Sequence, residues 1–567
     1  MSRSIPPPSF TDQAEAHKNQ GNFFLQRGLL DQAAQEYLRA LELRPDHHIA
    51  LSNLGIVLQA QGRLSEAMER FNQALALEPQ FTAALSNLSV VLHRLGRFEE
   101  AETRLLKALA LEPDYPEARS NLGNVYLAQG RWEEAVRQYQ WALRHKPDYP
   151  DALTNLGVAL QHQGHLSESA HCLEHALRLD PHSHETWTNL GVVRHRQGSL
   201  DAALACLARA LQLKPDHPEA LANQGCLLVE LGKFTEALAQ FTEALKLAPD
   251  LAEAHFAESL VLLLLGDFAS GWKKHEWRWR RTGFRGHGRK EPLWDGQPLH
   301  GRSILLHCEQ GMGDSIQFIR FAREVKAKGG HVVLKSPPSL HRLFQTARGI
   351  DLWVTDDTRI PLCQFQAPLM SLPHLLGITL DHFPTPIPYL AAPDPSPLPQ
   401  HETWKSTLRV GLVWRGNSAF RDDFKRSMDP TLLEPLLEIP GITFIGLQVS
   451  PRHGDLDVCN RYPNFFDASG LLTDFAATAA VVANLDLVIA VDTAVLHLAG
   501  ALGRPAWALL PQTPDWRWLL GRTDSPWYPT IQLFRQNHRG NWLEVISRVA
   551  TQLRTWMAKP HGPECKT

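Results

Sequence analysis

Two patterns of apolar and polar positions divide the chain. Over the first half, Gly21, Gly55, Gly123, Gly157, Gly191 and Gly225 fall at multiples of 34, with Ser89 in the remaining slot. Twelve residues after each slot stands a small residue, Ala33, Ala67, Ala101, Ala135, Ser169, Ala203 or Ala237. Four further on stands a bulky one, Tyr37, Phe71, Leu105, Tyr139, Leu173, Leu207 or Phe241. A proline closes each unit, from Pro45 to Pro249. Small residues let two helices approach, the bulky residue fills the gap between them, and the proline ends the second helix. The spacing predicts seven helix pairs over 14–251 behind a tail of 1–13, stacked into a right-handed α-solenoid with a concave face. An eighth unit begins in "AEAHFAESLVLLLLGDFASGW" and loses the pattern, so 252–298 reads as a degenerate repeat and a basic, aromatic junction, "HEWRWRRTGFRGHGRKEPLWDG".

From Ser303 the period of 34 gives way to short β-rich runs alternating with helical segments. "SILLHC", "HVVLKS" and "DLWVT" precede the proline-rich stretch 382–400, and "RVGLVW", "ITFIGLQ", "LDLVIAVD" and "PAWALLP" follow it. A helix is expected from about Asp314 to Lys328, and others near 432–437, in "DFAATAAVVANL" and in "AVLHLAGALG". Strand–helix alternation argues for parallel sheets covered by helices, here in two Rossmann-like lobes, 299–395 and 396–567. Ligands of such sheets bind at the carboxyl ends of the strands.

Composition narrows the function classes. The 567 residues are 44% hydrophobic and 21% charged with a formal net charge of -3, which gives no electrostatic reason to expect nucleic acid or an anionic membrane as partner. The longest apolar run, "LVLLLLG", is far too short to span a bilayer, and the N-terminus lacks the apolar core of a signal peptide. The seven cysteines occur singly, without CxxC. A cytoplasmic setting is the expectation.

The array resembles the tetratricopeptide repeat, and its layout is similar to that of O-GlcNAc transferase. "LLHCEQGMGDSIQFIRF" and "LVIAVDTAVLHLAGALGRPAWALLP" resemble the paired signatures of the heptosyltransferase-like glycosyltransferases, family 9, of GT-B fold. With "PLWDG", "PDWRWLLGRTDSPWYPT" and "LFRQ", the chain looks like bacterial tetratricopeptide-repeat proteins carrying such a domain. The resemblance implies an inverting, metal-independent hexosyl- or heptosyltransferase with a nucleotide-diphosphate sugar as co-substrate. The acceptor would be a protein recruited by the repeats. A non-catalytic repeat scaffold and an enzyme of cell-surface saccharide assembly are the rival readings.

Candidate residues follow. Asp492, Thr493 and Ala494 end a buried strand and open a helix, whose first-turn N–H groups suit a diphosphate; Asp492 and Thr493 would equally serve as caps. His497 lies one turn in. Family 9 usually has glycine where this chain has Ala494. The loop "WRGNSAFRDDFKRSMDP" carries Arg415, Arg421, Lys425 and Arg426, and Lys425 or Arg426 occupies the region that contacts diphosphate in the family. Gln448 ends a strand. "GMGD" satisfies neither the dinucleotide fingerprint nor the P-loop. By resemblance it lies in the acceptor lobe, with Asp314 as general base; Gly311 and Gly313 make room for the acceptor. Asp314 would otherwise be only a helix N-cap. Asn53, Asn87, Asn121, Asn155, Asn189 and Asn223, like Asn19, recur two residues before the glycine slot, and their amides suit an extended peptide backbone. They would otherwise stabilise neighbouring turns. The pair His171 and His175 beside Cys172 avoids the packing slots and reads as a solvent face rather than a zinc site, and the D-x-D of Asp455 and Asp457 lies in the polar stretch "SPRHGDLDVCN", so no metal is expected.

Overall fold

The computed structural model describes residues 10–281, 289–381, 383, 386–417 and 423–558. The chain forms two compact units, Met1–Leu227 and Leu228–Thr567. Parts of the expected tail, junction and proline-rich segment, and Arg421, lie outside the described residues.

The first unit is helical throughout its described length, from Phe10–Gln26 and Leu30–Leu43 to Leu200–Leu213. Its first helix begins at Phe10, inside the expected tail. The glycine slots work as the spacing implies. A Cβ added at Gly21 would meet the Tyr37 ring at 2.6 Å, and one at Gly123 the Tyr139 ring at 2.6 Å. The paired helices therefore touch at van der Waals distance, and overpacking there costs about 1–3 kcal/mol. At the Ser89 slot the facing residue is the smaller Leu105, and the hydroxyl is satisfied by the Ser86 carbonyl at 2.5 Å. The turn inside each pair is made by a second glycine series that the packing slots hide. Gly28 and its counterparts from Gly62 to Gly198 all hold positive φ, as a residue just past a helix end must.

The second unit holds two parallel sheets. In the first, β1 (Ser303–His307), β2 (His331–Lys335), β3 (Leu352–Val354) and β4 (Phe365–Pro368) lie in the order β3-β2-β1-β4. In the second, β5 (Leu408–Val413), β6 (Ile442–Gly446), β7 (Phe465–Asp467), β8 (Leu487–Val491), β9 (Ala506–Leu510) and β10 (Ile531–Arg535) lie in the order β10-β9-β8-β5-β6-β7. The order reverses between β1 and β4 and again between β5 and β8. Those reversals are where an open parallel sheet leaves a crevice at its strand ends. β5 and β8 are buried for most of their length, consistent with helices on both faces.

The expected helix from Asp314 to Lys328 is in fact three short pieces, Met312–Phe318, the 3-10 turn Ile319–Phe321 and Ala322–Ala327. Its start two residues early places Asp314 inside the first turn. One apolar core joins both lobes and the helices Ala252–Leu265 and Phe268–His275, so the degenerate eighth pair is built into the α/β unit. Trp272 makes the join. Its ring lies edge-on to Trp516 of the second lobe at 5.1 Å and to Phe318 of the first at 6.1 Å.

Candidate functional site

The loops that leave β1, β5, β6 and β8 carry the sequence-predicted residues of both lobes. Gly313 has no side chain, and a Cβ there would meet His497 Cδ2 at 2.9 Å and Ala494 Cα at 3.4 Å. The acceptor-side loop thus lies directly against the helix Ala494–Ala501 that the sequence assigns to the donor.

Asp314 sits at the third position of its helix, and Gly311, not Asp314, is the N-cap. The Gly311 N–H donates to Asp314 Oδ2 at 2.9 Å. Asp314 Oδ1 accepts a hydrogen bond from Arg517 of the second lobe. Arg517 is buried and also donates to Asp515 Oδ1 at 2.8 Å and to Gln317 Oε1 at 2.6 Å, with the Trp516 ring against its guanidinium. This cation is the electrostatic centre of the site, and nothing in the local sequence around Asp314 marks it. The signal available was "PDWRWLL", an arginine between two tryptophans.

At the end of β8, Thr493 is the N-cap by backbone geometry, yet its side chain makes no capping bond. Its buried hydroxyl has no hydrogen-bond partner. The bland role offered by the sequence, a side-chain cap, is not the one this hydroxyl plays. Arg426 Nη1 donates to the Asp492 carbonyl at 2.9 Å and Arg426 Nε to Asp423 Oδ1 at 3.1 Å, so the basic loop does reach this helix end. Lys425 does not share that position; its Nζ donates to Glu230 Oε1 at 2.5 Å. Gln448 is buried and accepts the Arg415 N–H at 3.1 Å, tying β6 to the loop after β5. Asp455 and Asp457 lie on the short helix Asp455–Cys459, where Asp455 faces Arg415 at 3.2 Å.

His497 is buried, with Nδ1 at 3.0 Å from the Tyr528 hydroxyl and Nε2 at 3.8 Å from Asp492 Oδ1. Burial, with Arg517 and Arg426 nearby, holds its pKa well below the ordinary value, so it is neutral at neutral pH. Burial and the neighbouring Asp515 push the Asp492 carboxyl from 3.8 up to about 6, against the pull of Arg517. The backbone is strained at the rim. Gln310 (φ 58), Ser450 (φ 51) and Leu519 (φ 48) hold left-handed conformations beside Gly311, Gln448 and Trp518. Such conformations cost of order 1–3 kcal/mol each and gather at functional sites.

The asparagine series is half-buried from Asn53 to Asn223. Asn53 donates to Asn22 Oδ1 at 2.8 Å, Asn121 to Ser86 Oγ at 3.0 Å and Asn155 to Asn124 Oδ1 at 2.9 Å. These amides tie adjacent repeats together and keep their oxygens as acceptors. Asn87 and Asn189 make no side-chain hydrogen bond among the described residues. No three His, Cys, Asp or Glu side chains gather as metal ligands among the described residues. No described helix is long and apolar enough to cross a membrane.

Comparison with known proteins agrees with this layout. Residues 190–261 match a tetratricopeptide-repeat family model, and residues 8–224 match that of the cilia and flagella-associated protein 70 C-terminal domain. Residues 471–543, which include β8, the helix after it and Arg517, match glycosyltransferase family 9 (heptosyltransferase). The chain therefore carries tetratricopeptide repeats at its N-terminus and a glycosyltransferase family 9 domain at its C-terminus. Protein FlbA of Caulobacter vibrioides is 30% identical over 304 residues, 47% of this chain and 48% of FlbA, so the chain spans about half the length of that relative. Among solved structures, Pseudomonas aeruginosa PilF is 23% identical (38% of this chain, 97% of PilF, TM-score 0.34). A tetratricopeptide repeat protein of Parabacteroides merdae is 18% identical (44% of this chain, 99% of that one, TM-score 0.37).

The raised Asp492 carboxyl has a measurable consequence. A carboxyl whose folded pKa lies above its unfolded value ionises at a cost, so its contribution to stability falls as pH rises from about 4 to about 6 and stays low above. Asp492→Asn removes that cost. Between pH 4 and pH 7 the variant should gain about 1–3 kcal/mol relative to the wild type. Parallel melting curves at several pH values measure it, and a wild-type-to-variant difference that is flat across this window would contradict the assignment.

Proposed function

We propose that this chain, a repeat array ahead of a family 9 domain, is an inverting glycosyltransferase that passes sugar from a nucleotide-diphosphate donor to a polypeptide hydroxyl. The observation that carries the reading is the close approach of Gly313, the residue before Asp314, to Ala494 and His497 at the opening of the helix Ala494–Ala501, whose N-cap Thr493 keeps an unpartnered hydroxyl. First-turn N–H groups of a helix have no intrahelical acceptor, so those at Ala494 and Val495 are placed to take phosphate oxygens together with the Thr493 hydroxyl. Arg426 brings a cation to the same end.

In this reading the acceptor hydroxyl gives its proton to Asp314 as its oxygen bonds to the anomeric carbon. The bond from that carbon to the diphosphate oxygen breaks on the opposite face, and its electron pair leaves on the diphosphate. Arg426 and the helix N-terminus stabilise the departing charge, so the reading asks for no divalent cation. Both Asp314 oxygens already accept one hydrogen bond, but each has a second lone pair for a substrate proton. The neutral His497 is suited to a hydrogen bond with the donor rather than to an ion pair. A rival reading, a scaffold without turnover, draws on the same Arg517 contact, which occupies the carboxylate.

Asp314→Asn separates the two. It should depress turnover by about 10²–10⁴-fold while donor affinity, read by calorimetry, is retained. Near-normal turnover would remove Asp314 from the chemistry, and absence of any turnover in the wild type would favour the scaffold.

Solenoids of helix pairs hold polypeptides, and the asparagine oxygens offer acceptors to an extended chain. Asn87→Ala with Asn189→Ala is the sharper test, because neither amide braces the repeats as Asn121 and Asn155 do. At about 0.5–1.5 kcal/mol per lost bond, the double variant should weaken a long protein acceptor roughly 5- to 150-fold and leave a short peptide acceptor unchanged. Equal effects on both acceptors would contradict the ladder and point to a saccharide acceptor.

A further inference from the structure

Arg278 is the one arginine among the described residues with no exposed surface, and it belongs to no part of the chemistry above. It lies in the 3-10 turn Glu276–Arg280, directly after the helix that carries Trp272. Its Nη2 donates to Glu309 Oε1 at 2.7 Å and its Nε faces Glu309 Oε2 at 3.2 Å, a two-pronged grip on one carboxylate. Nη1 donates to Glu276 Oε1 at 2.6 Å, and Nη2 also reaches Ser371 Oγ at 2.6 Å. Ser371 in turn donates to Glu276 Oε2 at 2.9 Å, which closes the ring.

Glu309 opens the acceptor loop. Its side chain is 7% exposed, and burial raises its carboxyl while Arg278 opposes the shift. A carboxylate this enclosed stays where its partner holds it. The next residue, Gln310, takes the left-handed φ of 58, and the one after, Gly311, gives its N–H to Asp314. Three consecutive residues thus run from the Arg278 grip to the carboxylate that Arg517 holds from the other lobe.

We propose that Arg278 is a positioning residue: by fixing Glu309 it sets the turn at Gln310 and Gly311 that aims Asp314, so that the segment after the last helix pair is part of the site. This rests on the role given to Asp314 above. A lysine cannot reproduce the grip, because its single ammonium lacks the planar fork that meets both carboxylate oxygens. That role accounts for the loss of the repeat pattern in the eighth helix pair. Its task is to deliver Arg278 to β1 rather than to stack a further repeat.

The test compares Arg278→Lys with Trp272→Phe in the full chain. The tryptophan variant loosens the same core, including the packing on Phe318 at the far end of the Asp314 helix, but removes no part of the Arg278–Glu309 grip, and so reports what destabilisation alone does. Arg278→Lys should lower kcat roughly 100-fold, the order expected when a reacting group is displaced by about 1 Å, with donor Kd unchanged. Amide hydrogen exchange over residues 309–314 should quicken at least about tenfold, while the amides of β2 stay protected. The exchange measurement needs no substrate, so it judges Arg278 even if Asp314 has no catalytic role. If Arg278→Lys does not fold, Glu309→Gln, which keeps the side chain's shape and leaves Arg278 its Glu276 partner, should give the same local loosening. Loop exchange and kcat that match those of Trp272→Phe, or that are unchanged from wild type, would overturn the proposal.

Discussion

The close approach of two helix N-termini from different lobes is the constraint on which the rest of the site depends. Gly313 can rest on Ala494 and His497 only because it has no side chain, and Arg517 reaches across to Asp314 only because that approach is made. Removing one partner from a buried charge pair costs about 3–5 kcal/mol, so the geometry is held firmly. Trp272 backs it from the far side, sharing one core with Phe318 and Trp516. The lobes therefore meet across packed side chains as well as across a crevice.

Charge is distributed to match. Arg517 stands among Asp314, Asp515 and Asp492, and its own pKa is raised by them although burial alone would lower it. The same cation helps to keep His497 neutral. Of the two adjacent basic residues that sequence alone could not rank, Arg426 binds the carbonyl at the end of β8, while Lys425 is engaged by Glu230. Positive charge and free N–H groups thus converge at one helix end. The opposing wall carries the carboxylate. A donor diphosphate and an acceptor hydroxyl ask for that division of labour.

Much of this was legible because it is periodic or local. The period of 34 reported helix pairs in contact, and Gly21 against Tyr37 or Gly123 against Tyr139 show the contact the spacing required. The buried strand before Asp492 and the loop after β1 were equally plain, because apolar runs followed by glycine or a capping residue write their own ends. What escaped was long-range. Arg517 acts on a residue 203 positions away, and Arg278 on one 31 away across what read as a junction. The Asp314 helix was placed two residues late, since its N-cap is a glycine with no capping side chain to announce it. The asparagines were read for what they could offer a ligand. Three of them spend their N–H groups on the neighbouring repeat, a use that appears only once the helices are stacked.

The central claim is that the opening of the helix after β8, with Thr493 and Arg426, is a nucleotide-diphosphate site facing Asp314. Its most direct test is calorimetric titration of the full-length chain with a panel of nucleotide-diphosphate sugars, run beside Arg426→Ala. The account predicts that one donor binds at a single site and that its affinity falls by about 1–3 kcal/mol in the variant, the worth of a charge-assisted hydrogen bond. Binding that is indifferent to Arg426, or a folded wild-type protein that takes up no member of the panel, would contradict it.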